Sequence, residues 1–432
     1  MNGRVAVITG FYKNTDFLQT LFESLNNQTF THFDVYVYNS SGIPLADVGS
    51  NYSFTYKIIN LKDNAGFAGG NNQAIQAARE SGEYKYYALI NDDTKPQPGW
   101  LEALVTTAEQ DPAIGAVSSK MVFYERFVTI RGLTQAINVN DRKLGLRWYH
   151  NSSFNECFYP KKFYKEGFYN EETDEINAFR WTSEDISIEM PVSLRSGLDE
   201  YTLRLFLRKH SKLKDQYLDL YIGDTFLTNI DLHKENLFYE VKVPASLINE
   251  HAHYIIQNAG SGYDKGYNGF DIGSGELDLS QYDKEKDIQL FCGGACLLSA
   301  KALEKTGLFN GYFFSYYEDS DLSMRIRKKN FRIVYAPRSL VLHYHTGTSK
   351  EWSLFFIYHV FRNKIIFTAR NFGMFSFIRA FAERSKETVR FLKWNVKARF
   401  KDPILKSRLK LNLRILWDSI KGIIKYKPAR FQ

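Results

Sequence analysis

Tyr86-Tyr87-Ala88-Leu89-Ile90-Asn91-Asp92-Asp93 decides the reading of this chain. An unbroken apolar and aromatic run of this length reads as a strand buried on both faces, and it stops abruptly at a polar corner. The same grammar repeats around it. Residues 5–9, 34–38 and 56–61 are further short strands. Residues 16–25 place Phe17, Leu18, Leu21, Phe22 and Leu25 at the helical period, and 71–78 and 100–108 are helical as well. Strands separated by helices predict a parallel, doubly wound sheet. Ligands of such sheets bind beyond the carboxyl ends of the strands, where Asn39, Asn64 and Asp93 all fall.

A chain of 432 residues is long enough for two or three domains. Cys157, Cys292 and Cys296 are too few for a disulfide scaffold and fit a reducing compartment. Cys292 and Cys296 lack the partner pair a zinc site needs. No secretion-signal pattern is read at 1–8. The longest apolar run, 352–361, is about half of the ~20 residues that span a bilayer. The net charge of +8 is uneven: residues 350–432 hold 20 Lys and Arg against 5 Asp and Glu, so the rest of the chain is acidic. A basic tail on an acidic body signals a partner.

Between 154 and 287 the pattern changes to strand alternation, with turn residues at intervals. This stretch is expected to be an inserted antiparallel β-sandwich. The α/β pattern resumes over 288–349. Residues 350–432 form amphipathic basic helices suited to an anionic membrane surface, or to a helical cap on the body.

Three segments carry chemistry. Asn91-Asp92-Asp93 at a strand end is placed to hold Mg²⁺ or Mn²⁺ on a diphosphate, because hard cations take oxygen ligands; an Asx turn is the plainer reading. Asn64-Ala65-Gly66-Phe67-Ala68-Gly69-Gly70-Asn71-Asn72 joins a strand to a helix, with glycines that allow close backbone approach to an anion. It is neither a Walker loop nor the Rossmann fingerprint. Phe313-Phe314-Ser315-Tyr316-Tyr317-Glu318-Asp319-Ser320-Asp321 sets three carboxylates after a run of aromatics. Apolar cover raises a carboxylate's pKa, as a general base requires, whereas Asp321 and Arg325 stand at i, i+4 and read as a structural pair. His343 follows a strand, with His345 two residues on.

Together these segments resemble family 2 glycosyltransferases of the GT-A type, closest to the rhamnosyltransferase-like branch, over 4–119 and 289–349. Asn64 to Asn72 is similar to that branch's nucleotide-sugar loop. Asn91-Asp92-Asp93 resembles its Asp-x-Asp variant, Gly293-Gly294-Ala295-Cys296 its acceptor strand, and Glu318-Asp319-Ser320-Asp321-Leu322 its base motif; 337–343 with 347–349 resembles the metal-histidine segment. The resemblance implies that Asp319 is the base, assisted by Glu318, in an inverting transfer from a nucleoside-diphosphate sugar. Asp93, His343 and Asn91 would be metal ligands for Mg²⁺ or Mn²⁺. Thr9, Asn39, Asn64, Gly66, Phe67, Gly70, Asn72, Asn91 and Asp92 would bind the donor, dTDP-rhamnose or a UDP-sugar. The acceptor would be a growing surface polysaccharide or lipid-linked glycan at the cytoplasmic face of a bacterial membrane. One departure stands out: Asn39 occupies the place of the family's usual base-recognising aspartate.

The expected domains are thus 1–153 and 288–349 for the GT-A body, 154–287 for a sandwich that resembles carbohydrate-binding modules, and 350–432 for the basic helices. The sandwich has glycan binding, spacing or dimer contact, and a second activity open to it, and a homodimer is among the expected partners. A non-catalytic glycan-binding protein and a sugar-nucleotide pyrophosphorylase are the alternatives. No nucleic-acid partner is expected, since no base-reading motif accompanies the positive charge.

Overall fold

The computed structural model describes residues 3–49, 51–135, 145–149, 164–173, 178–192, 194, 197–208, 217–232, 237–344 and 353–425. Cys157, His345, Trp352 and the 347–349 segment lie outside these residues, as do the expected boundaries at 154 and 350. The chain opens with β1 (Val5–Phe11), α1 (Thr15–Asn26), β2 (Phe33–Asn39), β3 (Thr55–Asn60), α2 (Gly66–Ser81), β4 (Tyr86–Ile90), β5 (Thr94–Pro96), α3 (Trp100–Glu109) and β6 (Ile114–Phe123). A strand-rich segment follows: β7 (Arg126–Gln135), β8 (Gly145–Tyr149), β9 (Tyr164–Thr173), β10 (Ala178–Val192), β11 (Glu200–Arg208), β12 (Tyr217–Ile222), β13 (Thr225–Asp231), β14 (Leu237–Pro244) and α4 (Ala245–His251). Then come β15 (Ile256–Asn258), β16 (Ser261–Tyr263), β17 (Gly269–Asp271), β18 (Lys286–Asp287), β19 (Ala295–Ser299), α5 (Ala300–Thr306), α6 (Glu318–Lys328) and β20 (Arg332–His343). Three long helices finish the described chain: α7 (Leu354–Phe372), α8 (Met374–Lys397) and α9 (Pro403–Lys425).

The main sheet runs β18-β20-β6-β19-β4-β1-β2-β3, with β5 added beside β20. β3, β2, β1 and β4 are mutually parallel, as the alternation of strand and helix predicts. β19 breaks the expected all-parallel pattern. It runs antiparallel between β4 and β6. β19 is not joined to β4 by a single helical crossover, so nothing obliges it to run the same way. Strands β2 and β4 are buried along their whole length. Leu18, Leu21, Phe22 and Leu25 of α1 pack into the core beneath them, with Trp100, Leu101, Leu104 and Val105 of α3 in the same cluster.

The chain divides into two compact units. Met1–Val122, Gln257–Ser274 and Ser280–Gln432 make the first; Phe123–Ile256 and Gly275–Leu279 make the second. This division differs from the expected 154–287. β7 already belongs to the second unit because it pairs residue by residue with β10 and β12. At the other end, the Gly-rich stretch after 257 imitates a sandwich turn in composition. Its ladder instead ties it to the first unit: Ser261 and Leu290 exchange backbone hydrogen bonds of 3.1 and 3.0 Å.

The second unit is a pair of antiparallel sheets, β13-β12-β7-β10-β9 and β14-β11-β8. Ile130, Ile186, Leu218 and Leu220 from the larger sheet share one core with Leu203, Leu205 and Val243 from the smaller. The alternating burial of β12 is the pattern of a half-buried strand.

Candidate active site

The acidic corner read from sequence lies where β4 ends. Asn91 N–H donates to Gly294 O at 2.9 Å, which fixes the corner against the turn entering β19. β5 then pairs antiparallel with β20 and sets Thr94 opposite His343. This register brings Asp93 Oδ1 to 3.0 Å from His343 Nε2, both side chains buried. The other imidazole nitrogen, Nδ1, lies 2.6 Å from Gln257 Oε1. An amide oxygen only accepts, so Nδ1 carries the proton. Nε2 faces the Asp93 carboxylate across 3.0 Å, and these two groups together would hold a cation.

Among the described residues no three His, Cys, Asp or Glu side chains gather as a metal site. The pair nevertheless fits Mg²⁺ or Mn²⁺ whose remaining ligands are diphosphate oxygens and water, because such ions rarely take all-protein cages. Asn91 does not show its side chain in this pair; its amide stands instead near Gly294. The Asp92 carboxylate accepts a hydrogen bond from the backbone of Tyr12. Burial, reinforced by the charge of Asp93, pushes the Asp92 carboxyl up to about 7.

The glycine-rich segment is the first turn of α2 and not a loop before it, so the helix begins at Gly66 and not at the expected position 71. Asn64 Oδ1 accepts from Gly66 N–H at 2.9 Å. Gly66 has φ +66, and a Cβ there would strike Phe314 O. That same carbonyl accepts from Ala68 N–H at 3.1 Å, so the aromatic segment before the carboxylates closes the start of α2. One turn further along, the Tyr38 ring occupies the space a Cβ on Gly70 would need.

Two residues expected at the donor have structural tasks. Asn39 is buried, with Nδ2 donating to Ile43 O and Asn60 Oδ1 and Oδ1 accepting from Ser41. Asn72 exchanges two hydrogen bonds of 2.8 and 3.0 Å with the backbone of Phe309. Thr9 is different: its Oγ1 is buried with no hydrogen-bond partner among the described residues. Phe67 lies against Gly293.

Helix α6 opens on the three carboxylates, and they have separated tasks. Asp321 is buried and forms ion pairs with Arg325 at 2.9 Å and Arg370 at 3.0 Å. Arg325 also donates to Thr306 O and Leu308 O, tying α6 to the end of α5. Asp319 accepts from Gly293 N–H at 3.1 Å and from Ser320 N–H at 2.6 Å, and it remains partly exposed. Burial nevertheless raises its pKa above the ordinary carboxylate range. Glu318 is buried with Oε2 unpartnered among the described residues. Desolvation, then the charge of Asp319, holds its pKa well above normal.

The aromatic approach to these carboxylates is a contorted backbone. Phe314, Tyr316 and Tyr317 have φ of 66°, 69° and 69°, a region that costs a bulky L-residue about 1–2 kcal/mol each. Two α7 residues hold it. Asn363, fully buried, donates to Phe313 O, Ser315 O and Tyr316 O at 2.9, 2.8 and 2.7 Å. Arg362 donates to Tyr312 O and Phe313 O at 2.6 and 3.1 Å. Sequence reasoning missed Asn363, Arg362 and Gln257. The signal for the first two was present: Arg362-Asn363-Lys364 interrupts the middle of an otherwise apolar helix. Gln257 gave none, since it sat inside the stretch assigned to the sandwich. Cys292 and Cys296 are both free thiols, and burial drives both pKa values up, so neither is a ready metal ligand.

Residues 6–179, about two-fifths of the chain, match the model of the family described as Glycosyl transferase family 2. The match includes the α2 segment and the Asp93 corner but ends before Asp319 and His343. With the sheet order above, the fold is of the GT-A type. Two solved structures are similar. The crystal structure of GalNAc-T7 with UDP, GalNAc and Mn²⁺ has 10% identity and a TM-score of 0.43, covering 85% of this chain. This chain spans about half of it, 48%. The mannosyltransferase PcManGT from Pyrobaculum calidifontis, in complex with GDP-Man and Mn²⁺, has 9% identity and a TM-score of 0.39, covering 99% of this chain and 89% of that one. No curated protein matches the chain in sequence.

Proposed function

We propose that this protein is an inverting sugar transferase that moves a glycosyl group from a nucleoside-diphosphate sugar to an acceptor hydroxyl. The observation that carries the reading is a continuous path across the site. The Asp93 corner is bonded through Asn91 to Gly294, and the adjacent Gly293 N–H holds the Asp319 carboxylate. A group that would face the diphosphate and a group that would face the acceptor are thus fixed on one turn.

Asp319 takes the proton of the acceptor hydroxyl at its carboxylate. The hydroxyl oxygen bonds to the anomeric carbon as the bond to the diphosphate oxygen breaks, and the electron pair leaves with the diphosphate. Gly293 and Ser320 N–H groups aim the carboxylate, while burial keeps it basic enough to accept the proton. Asp93 and His343 would hold a divalent cation, with Gln257 fixing the tautomer of His343. Such a cation, when bound, neutralises charge developing on the leaving diphosphate. One base suffices; a retaining route would need a nucleophile on the opposite face of the sugar.

The resemblance to the rhamnosyltransferase-like branch supports a finer reading: a 6-deoxyhexose or hexose donor carried on dTDP or UDP, and a surface polysaccharide or lipid-linked glycan as acceptor. The two-sheet form of the second unit supports glycan binding there. The test is Asp319→Asn with a donor panel. Thermal stabilisation by the true donor with Mn²⁺ should persist while transfer falls at least ~10³-fold. Undiminished turnover would overturn the assignment.

A further inference from the structure

Helices α8 and α9 carry an apolar stripe on their outer side in addition to the face they pack inward. A helix on a globular body normally turns its apolar stripe inward. The buried positions of α8 are instead Ser376, Ala380, Thr388 and Asn395, and those of α9 are Asn412, Ile415, Ser419 and Gly422. Most of their polar side chains are hydrogen-bonded. Thr388 and Ser419 hydroxyls donate to carbonyls one turn back, Asn395 donates to Leu405 O, and Arg384 donates to Asn412 Oδ1.

Some apolar side chains, among them Phe377, Phe381, Leu411 and Ile423, pack inward around Ala380 and Ile415, but a second set faces out. On α8, Phe375, Ile378, Val389, Leu392 and Val396 follow one helical stripe and are 84, 56, 49, 44 and 58% exposed. On α9, Leu413, Trp417, Ile420 and Ile424 do the same. Scattered exposed apolars need no explanation, but stripes of this length do. Each stripe has a basic row beside it. On α8, Arg379, Arg390, Lys393 and Lys397 each stand one position after a stripe residue, and all four, like Lys386, are exposed. Along this helix lies a groove of about 750 Å³, with Phe377, Phe381 and Val389 among its apolar lining and Lys386, Arg390 and Lys393 as its cations.

We propose that α8 and α9 dock this face onto an anionic phospholipid surface, with the apolar stripes in the acyl boundary and the basic rows at the phosphates. Charge selects this occupant. The two helices hold twelve Lys and Arg against three Asp and Glu. A second copy meeting the same face across a two-fold axis would oppose two strongly positive surfaces, whereas an anionic lipid surface complements both the charge and the apolar stripe. Among the described residues no helix is long and apolar enough to cross a membrane, so the attachment lies in the plane of the interface. The inference is independent of sugar transfer.

The test is sedimentation of the full chain with vesicles of phosphatidylcholine, alone or with about one-third phosphatidylglycerol. The chain should bind the anionic vesicles, with a blue shift of tryptophan emission from the exposed Trp394 and Trp417. Lys386→Gln with Lys393→Gln should lower the partition onto anionic vesicles ~30-fold, about fivefold per cation. Phe375→Ser with Ile378→Ser should lower it at least ~10-fold on any vesicle that binds. These sites are solvent-exposed, so both variants should melt with the wild type. No binding to anionic vesicles, or equal binding by both variants, overturns the proposal. So does a dimer in light scattering that the Phe375 and Ile378 variant dissolves, which would make the face a contact between copies.

Discussion

Asn363→Ala should cripple an active site it never touches. Its amide donates three hydrogen bonds to the carbonyls at 313, 315 and 316 and accepts one from Arg362 Nε at 2.8 Å. Phe313 O keeps a bond from Arg362, so the loss falls chiefly on the other two carbonyls. At about 1–2 kcal/mol for each buried bond removed, the substitution costs roughly 2–4 kcal/mol. For a unit of a few hundred residues that lowers Tm by about 5–10 °C. The released backbone carries three left-handed aromatic residues that relax once the clamp is gone. Asp319, two residues beyond, then loses its aim at the acceptor. The expected result in a transfer assay is a kcat at least ~10-fold lower with donor KM changed little. A variant with wild-type Tm and wild-type kcat would refute the clamp.

Four further outcomes follow from the geometry. The rate should rise with pH through an apparent pKa above the ordinary carboxylate range, because burial raises Asp319 and only its ionised form accepts a proton. A raised carboxylate pKa stabilises the fold at low pH and loses that contribution as pH climbs through it. The Tm of Asp319→Asn minus that of wild type should therefore increase with pH, and a difference that falls as pH rises would contradict the assignment. Gly70→Ala should lower Tm despite alanine's better helix propensity, since its methyl displaces the buried Tyr38 ring at a cost of about 1–3 kcal/mol; calorimetry showing a more stable protein would refute the packing argument. Gln257→Leu should weaken Mn²⁺ binding about 10–100-fold by freeing the tautomer of His343, measured by titration of the ion without turnover; unchanged affinity would separate Gln257 from the site.

The parts legible in sequence were those where local chemistry and tertiary role coincide. Uniformly apolar strands such as β4 ending at a polar corner could hardly be read otherwise, and the i, i+4 relation of Asp321 and Arg325 became the ion pair it promised. What stayed hidden depended on distant partners. Asn39 and Asn72 are expected at the donor through the family resemblance, as side chains with free hydrogen-bonding groups. Only the fold reveals that Ile43, Asn60 and Phe309 had taken them. The antiparallel entry of β19 and the early start of the second unit at β7 are long-range pairings that no local period encodes. The outward stripes of α8 and α9 were visible as a helical mixture of apolar and basic residues, but which side faced the protein was not.

The clamp on the aromatic segment also sets an order of events during synthesis. The three carbonyls gripped by Asn363 emerge from the ribosome 47 to 50 residues before the amide that holds them. A nascent chain that has produced the Asp93 corner, the start of α2 and even Asp319 still lacks the grip on the segment before Asp319. If Asp319 is the base proposed above, transfer would wait on the synthesis of α7.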